Sequence, residues 1–145
     1  MKSFADNAGR TWAVQVNVDT IKRVKGLLDV NLLDVVDGDL VERLVSDPIL
    51  VCDVVYVVCK PEADKQGVSD EDFGRSMAGD AIHSATDALL GEIVDFFPPL
   101  KRKVLSAALE KIRDLETVAT DAALDRIETT DFEKKLREAM AEPGD

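Results

Sequence analysis

The sequence predicts a mainly α protein (α+β): an N-terminal β-hairpin packed on a compact acidic helical domain, with a C-terminal helical extension. Three observations carry this. Trp12, Val14, Val16 and Val18 alternate with Ala13, Gln15 and Asn17 just after a turn-rich stretch, the period of a half-buried strand. From Ile21 onward apolar residues recur at helical spacing behind recognisable start signals. Pro98-Pro99 then cuts the chain into residues 1–97 and 98–145, and the second part repeats small apolar residues three and four apart.

The elements follow in order. Asp6, Asn7 and Gly9 supply turn chemistry between "KSF" and "TWAVQVNV", so residues 2–17 read as a hairpin whose apolar face needs helices to lie on. Asp19 is placed to cap a helix carrying Ile21, Val24, Leu27 and Leu28. "DVNLLDVVDGD" is less regular and reads as an extended connection with one short strand or turn, broken at Asp37-Gly38. "DLVERLVSD" is a short amphipathic helix. Asp47-Pro48 starts the next, with Asp as cap and Pro at the first helical position. That helix, "ILVCDVVYVVC", is apolar nearly all round, which predicts the central buried element.

"KPEADKQGV" reads as an exposed loop. Ser69 with Asp72 resembles a capping box opening a short helix that Gly79 ends or interrupts. Asp80 is expected to cap the following helix, whose stripe is Ile82, Ala85, Leu89, Leu90, Ile93, Phe96 and Phe97. Beyond the prolines, Leu105, Ala108, Ile112, Leu115, Ala119 and Ala122 form a coiled-coil-like seam weakened by its alanines. Asp131 is expected to open a last short helix with Phe132, Leu136 and Met140.

Composition narrows the function classes. At 145 residues, 46% of them hydrophobic and 5% aromatic, the chain is one domain with a tail and an aliphatic core. Its net charge is −11, distributed as +3 over residues 1–27, −12 over 28–100 and −2 over 101–145. Such an acidic body repels phosphate backbones, which argues against nucleic acid and for cationic or helical protein partners. Cys52 and Cys59 lie seven apart, roughly 10 Å on a helix, too far for a mutual disulfide. Two buried reduced thiols suit the cytoplasm. The N-terminus lacks a secretion-type apolar core and no run reaches about 18 apolar residues, so neither export nor membrane insertion is expected.

The chemistry-bearing residues are few. Asp80, His83 and Asp87 stand three and four apart on one helix side and include the only histidine. Three ligands from one helix rarely enclose an ion, so a helix start and an edge histidine are the simpler reading. No phosphate-binding glycine loop and no nucleophile elbow is present. Acid pairs such as Asp70 and Asp72 read as charges at a helix N-terminus. No cofactor is implied and no enzyme is predicted. Lys101, Arg102 and Lys103 form the one basic block, and at a helix start these cations oppose the helix dipole.

The element order suggests a family. "GRTWAVQVNV", "IKRVKGLLDVNLLD", "LVSDPILVCDVVYVVC" and "SDEDFGRSMAGDAIHSATDALLGEIVDFFP", followed by a helical extension, resemble the small tail assembly chaperones of tailed phages and prophages over residues 2–100. The resemblance implies a non-enzymatic role in the cytoplasm of an infected or lysogenic bacterial host. There the chaperone coats a helical tape-measure protein and recruits tail-tube subunits. It carries over no binding residue. From the residues themselves, the partner-binding surface is placed on Leu105, Ala108, Ile112 and Leu115 with Lys101, Arg102 and Lys103. Homo-oligomerisation is a further option. A structural tail completion or connector subunit, and a small helix-binding regulatory protein, are the alternatives.

Overall fold

Phe4 pairs with Trp12 across two antiparallel strands, β1 (Lys2–Ala5) and β2 (Thr11–Val14), in a computed structural model that describes residues 1–126 and 136–139. Seven helices follow over residues 1–126: α1 (Val18–Leu28), α2 (Leu40–Ser46), α3 (Pro48–Val58), α4 (Lys60–Gln66), α5 (Asp70–Arg75), α6 (Asp80–Phe96) and α7 (Pro99–Arg126). A 3-10 turn, Leu32–Val35, joins α1 to α2. The fold is mainly α with an N-terminal hairpin, as the sequence predicts. The chain divides into two compact units, Met1–Leu105 and Ser106–Asp145.

The first unit is organised around α3. Val51, Val54, Val55, Val57 and Val58 are buried on it, with Leu50, Cys52, Asp53 and Tyr56 half-buried and Ile49 exposed. Asp47 caps it by accepting from the Ile49 and Leu50 amides at 3.0 and 3.1 Å, with Pro48 at the first position, as its sequence signal requires. Helices α1, α2, α4, α5 and α6 all pack on α3. At its far end the Arg23 guanidinium from α1 donates to the Val57 and Val58 carbonyls, both at 3.1 Å. A cation on the last carbonyls of a helix satisfies orphan acceptors and complements the dipole.

The hairpin is locked by one buried carboxylate. Asp6 has a fully buried side chain that accepts from Trp12 Nε1 at 2.9 Å, Arg10 Nη1 at 3.1 Å, and the Ala8 and Arg10 amides at 3.0 and 2.9 Å. Gly9, at φ +82°, closes the turn in a conformation that favours glycine. The turn is tied to the α5–α6 connection: the Asn7 amide donates to the Ser76 carbonyl at 2.9 Å and Arg10 reaches Ser76 Oγ at 3.3 Å. Trp12, Phe73 and Tyr56 then form an aromatic chain from hairpin to α5 to α3, with centroids 5.6 and 5.4 Å apart.

Strand β1 lies on α6. Glu92, buried on α6, accepts the Lys2 amide at 2.9 Å. The Lys2 side chain crosses Gly91, where a Cβ would collide with it, and reaches Asp95 at 3.8 Å. Phe4 and Trp12 thereby point into the same core as Leu89 and Ile93, all of them buried.

Several local expectations are corrected. Asn17, not Asp19, caps α1 by accepting from the Thr20 amide at 2.9 Å; Asp19 instead pairs with Arg23 at 3.0 Å. This start ends β2 at Val14, leaving Val16 half-buried and Val18 exposed. Of the short strand or turn read in the 29–39 connection, the structure has the turn: a 3-10 segment at Leu32–Val35, which Asn31 nucleates by accepting from the Leu33 amide. "KPEADKQ" is helix α4, not loop. Proline is tolerated in a first helical turn, Lys60–Asp64 and Gln66–Glu62 brace it at i,i+4, and Gly67 stops it at φ +70°. Gly79, at φ +58°, occupies the cap position of α6, so Asp80 is its first residue and not its cap.

The capping box at Ser69 and Asp72 is present, and α6 stops at Phe96 before the prolines, as expected. The helix expected from Asp131 lies outside the described residues except at 136–139, which are helical.

Burial raises the Asp6 carboxyl, but the bonds from Trp12, Arg10 and Ala8 outweigh it and hold it below its ordinary value of 3.8. The Asp6 contribution is therefore fully present above pH 3.8 and is lost as the pH falls through the lower folded value. Asp6→Ala, which strands the buried Trp12 N–H, is expected to cost about 3 kcal/mol in urea unfolding at neutral pH. The gap between wild type and variant is expected to shrink below pH 3.8.

Candidate functional site

Helix α7 is the element whose apolar residues are least covered. Phe97 is extended at φ −81° and ψ 153°, as a residue before proline must be, and Pro99 then starts the helix. Its 28 residues give a length of about 42 Å. At 100° per residue, Val104, Ala108, Leu115, Val118 and Ala122 fall on one arc. Val104, Leu115 and Val118 are 67, 62 and 66% exposed, and Leu100 is 82% exposed. Beside this arc Leu109 is buried and Leu105 and Ile112 are half-buried.

The structure thus divides the seam read from the sequence. Ala108 and Leu115 lie in the open stripe, Leu105 and Ile112 on its covered edge. Val104 and Val118 belong to the stripe and were passed over, although their spacing from Ala108 and Leu115 is the signal that finds them. Lys101, Arg102 and Lys103 are exposed in the first turn of α7.

Asp80, His83 and Asp87 do not form an enclosed site. His83 Nε2 lies 3.3 Å from Asp87 Oδ2, with side chains 79 and 47% exposed, an ordinary surface i,i+4 pair. Among the described residues no group of three or more His, Cys, Asp or Glu side chains is arranged to hold a metal ion. Asp53 on α3 is pushed above the ordinary carboxylate value by partial burial and then by the charges of Asp70 and Asp47.

Two shallow clefts flank α4. One, of about 620 Å³, is lined by Arg23, Gly26, Leu27, Lys60, Pro61 and Asp64. The other, of about 240 Å³, reaches Gln15, Thr20, Cys59 and Glu62. The Arg23 guanidinium between them is committed to Val57, Val58 and Asp19. Burial pushes the Cys59 thiol up to about 12, Arg23 opposing and Glu62 adding, and its Sγ lies 3.6 Å from the Ala13 carbonyl. A protonated, buried thiol is a poor nucleophile. Cys52, half-buried, is also raised, by burial and then by Asp53.

No family model matches this chain, and no curated protein or solved structure matches it either. Among the described residues, no helix is long and apolar enough to cross a membrane.

Two outcomes follow from these groups. Iodoacetamide at pH 8 is expected to label Cys52 slowly and Cys59 more slowly still in the folded protein, both becoming fast in urea; rapid native labelling of Cys59 contradicts its burial. Asp53→Asn removes a carboxylate whose ionised form is disfavoured, so the variant is expected to melt above wild type at pH 7 and to lose that advantage at acid pH.

Proposed function

We propose that this protein is a non-enzymatic helix-binding assembly factor of the phage tail assembly chaperone type. It holds an aggregation-prone helical tape-measure protein and aids addition of tail-tube subunits. The observation that supports this reading best is the open stripe on α7: Val104, Leu115 and Val118 are each more than half exposed on a helix about 42 Å long. An amphipathic partner helix laid along it would bury apolar anchors on both sides. The cations Lys101, Arg102 and Lys103 at one end would set its direction. The acidic body, −12 over residues 28–100, would limit self-aggregation while the partner is held.

The test is co-expression of this protein with a helical tape-measure protein from the same genome. Wild type is expected to bring that partner into the supernatant and to co-purify with it. Leu115→Lys is expected to lose most of the co-purified partner while its far-UV spectrum and melting point stay unchanged, since Leu115 is exposed. A partner that stays insoluble with wild type removes the chaperone reading and moves the structural-subunit alternative forward.

A further inference from the structure

We propose that α7 pairs antiparallel with α7 of a second copy of this chain, along Val104, Ala108, Lys111, Leu115, Val118 and Ala122. These positions step by four and three in alternation, the spacing of a helix–helix seam. Pairing about the middle of the helix sets Val104 opposite Ala122 of the second copy, Ala108 opposite Val118, and Lys111 opposite Leu115. The two-fold axis repeats each layer, so one patch serves both partners.

Charge sets both the occupant and the orientation. The next seam position outward is Lys101 at one end and Asp125 at the other. Antiparallel pairing puts each Lys101 beside Asp125 of the second copy, and Arg102 and Lys103 toward the end that carries Asp121. Parallel pairing would stack Lys101 on Lys101, Lys111 on Lys111 and Asp125 on Asp125, which is unfavourable. Lys111 in the antiparallel register meets Leu115, next to Asp114 of the second copy. The helix also differs from the rest of the chain in balance. Residues 99–126 hold six Lys or Arg and five Asp or Glu, whereas residues 28–100 carry −12. Two α7 helices therefore meet without net repulsion, while the bodies repel any other face-to-face approach.

Two alanines and one lysine among six seam positions make the pairing weak, with a dissociation constant in the micromolar range. It stands independently of helix capture; if both hold, the second copy and the partner helix compete for one stripe.

Sedimentation equilibrium of the full chain, from about 1 to about 200 µM, reads the pairing directly. Wild type is expected to pass from monomer to dimer across that range. Val118→Lys places a charge opposite Ala108 in two symmetric layers and is expected to raise the dissociation constant at least about tenfold with an unchanged far-UV spectrum. Lys111→Leu, which removes the polar seam residue, is expected to lower it. Lys101→Glu and Asp125→Lys are each expected to weaken the dimer, and the double variant to recover much of the loss. A protein monomeric throughout, or a dimer indifferent to Val118→Lys and Lys111→Leu, overturns the proposal. A double charge variant no tighter than either single one overturns the antiparallel register. Loss of self-association leaves the co-purification result untouched, and failure of co-purification leaves the dimer standing, so the two readings fail separately.

Discussion

A helix that is apolar around most of its circumference cannot face water, and α3 imposes that constraint on the first unit. Five of its valines are buried, while Ile49 is exposed and Cys52, Asp53 and Tyr56 are half-buried on the other side. The chain answers by packing α1, α2, α4, α5 and α6 on it. None of these is long apart from α6, and several are only six or seven residues, too short to be stable alone. They hold their shape because caps, i,i+4 pairs and α3 hold them. Each fully buried valine contributes roughly 1.5–3 kcal/mol, so the α3 valines are a large block of stabilisation in the unit.

Two polar devices let a two-stranded hairpin, unstable by itself, join that core. Asp6 gathers the Ala8 and Arg10 amides, the Trp12 indole and the Arg10 guanidinium on one buried carboxylate. Glu92 binds the Lys2 amide of β1 and fixes the strand on α6. Arg23 plays the corresponding part at the α3–α4 junction, joining α1 to the last carbonyls of α3. Asp6 acts within its own hairpin, whereas Glu92 and Arg23 each pair a charge with backbone groups far along the sequence, which gives the packing a single register.

That long reach separates what was legible in the sequence from what was not. Asp47-Pro48, the Ser69–Asp72 box and the Pro98-Pro99 stop are local signals that stand where they are read, whereas the alternation read from Trp12 to Val18 holds only to Val14, where β2 ends. The α4 segment has the composition of a loop, with Pro61, Gly67 and five charged or amide side chains; its helical state depends on i,i+4 pairs and on its continuation from α3. Asn17 and Gly79 were displaced by neighbouring aspartates that also suit a cap. Glu92 reads as surface charge because its partner lies 90 residues away. On α7 the seam read through Leu105, Ala108, Ile112 and Leu115 leaves out Val104 and Val118, whose spacing is legible; that these two are exposed while Leu105 and Ile112 are half-buried is not.

The five buried valines of α3 contrast with α7, whose Val104, Leu115 and Val118 are exposed along one stripe. Amide hydrogen exchange tests that contrast most directly, because protection follows burial and local opening rather than helix content. At sub-micromolar concentration, amides of α3 are expected to exchange only through opening of the whole unit, while amides of residues 106–126 exchange orders of magnitude faster. Addition of a helical partner, or a rise in protein concentration, is expected to slow the second group and leave the first unchanged. Equal protection of α3 and residues 106–126 in the dilute protein would contradict the account, since α7 would then have no open stripe to offer.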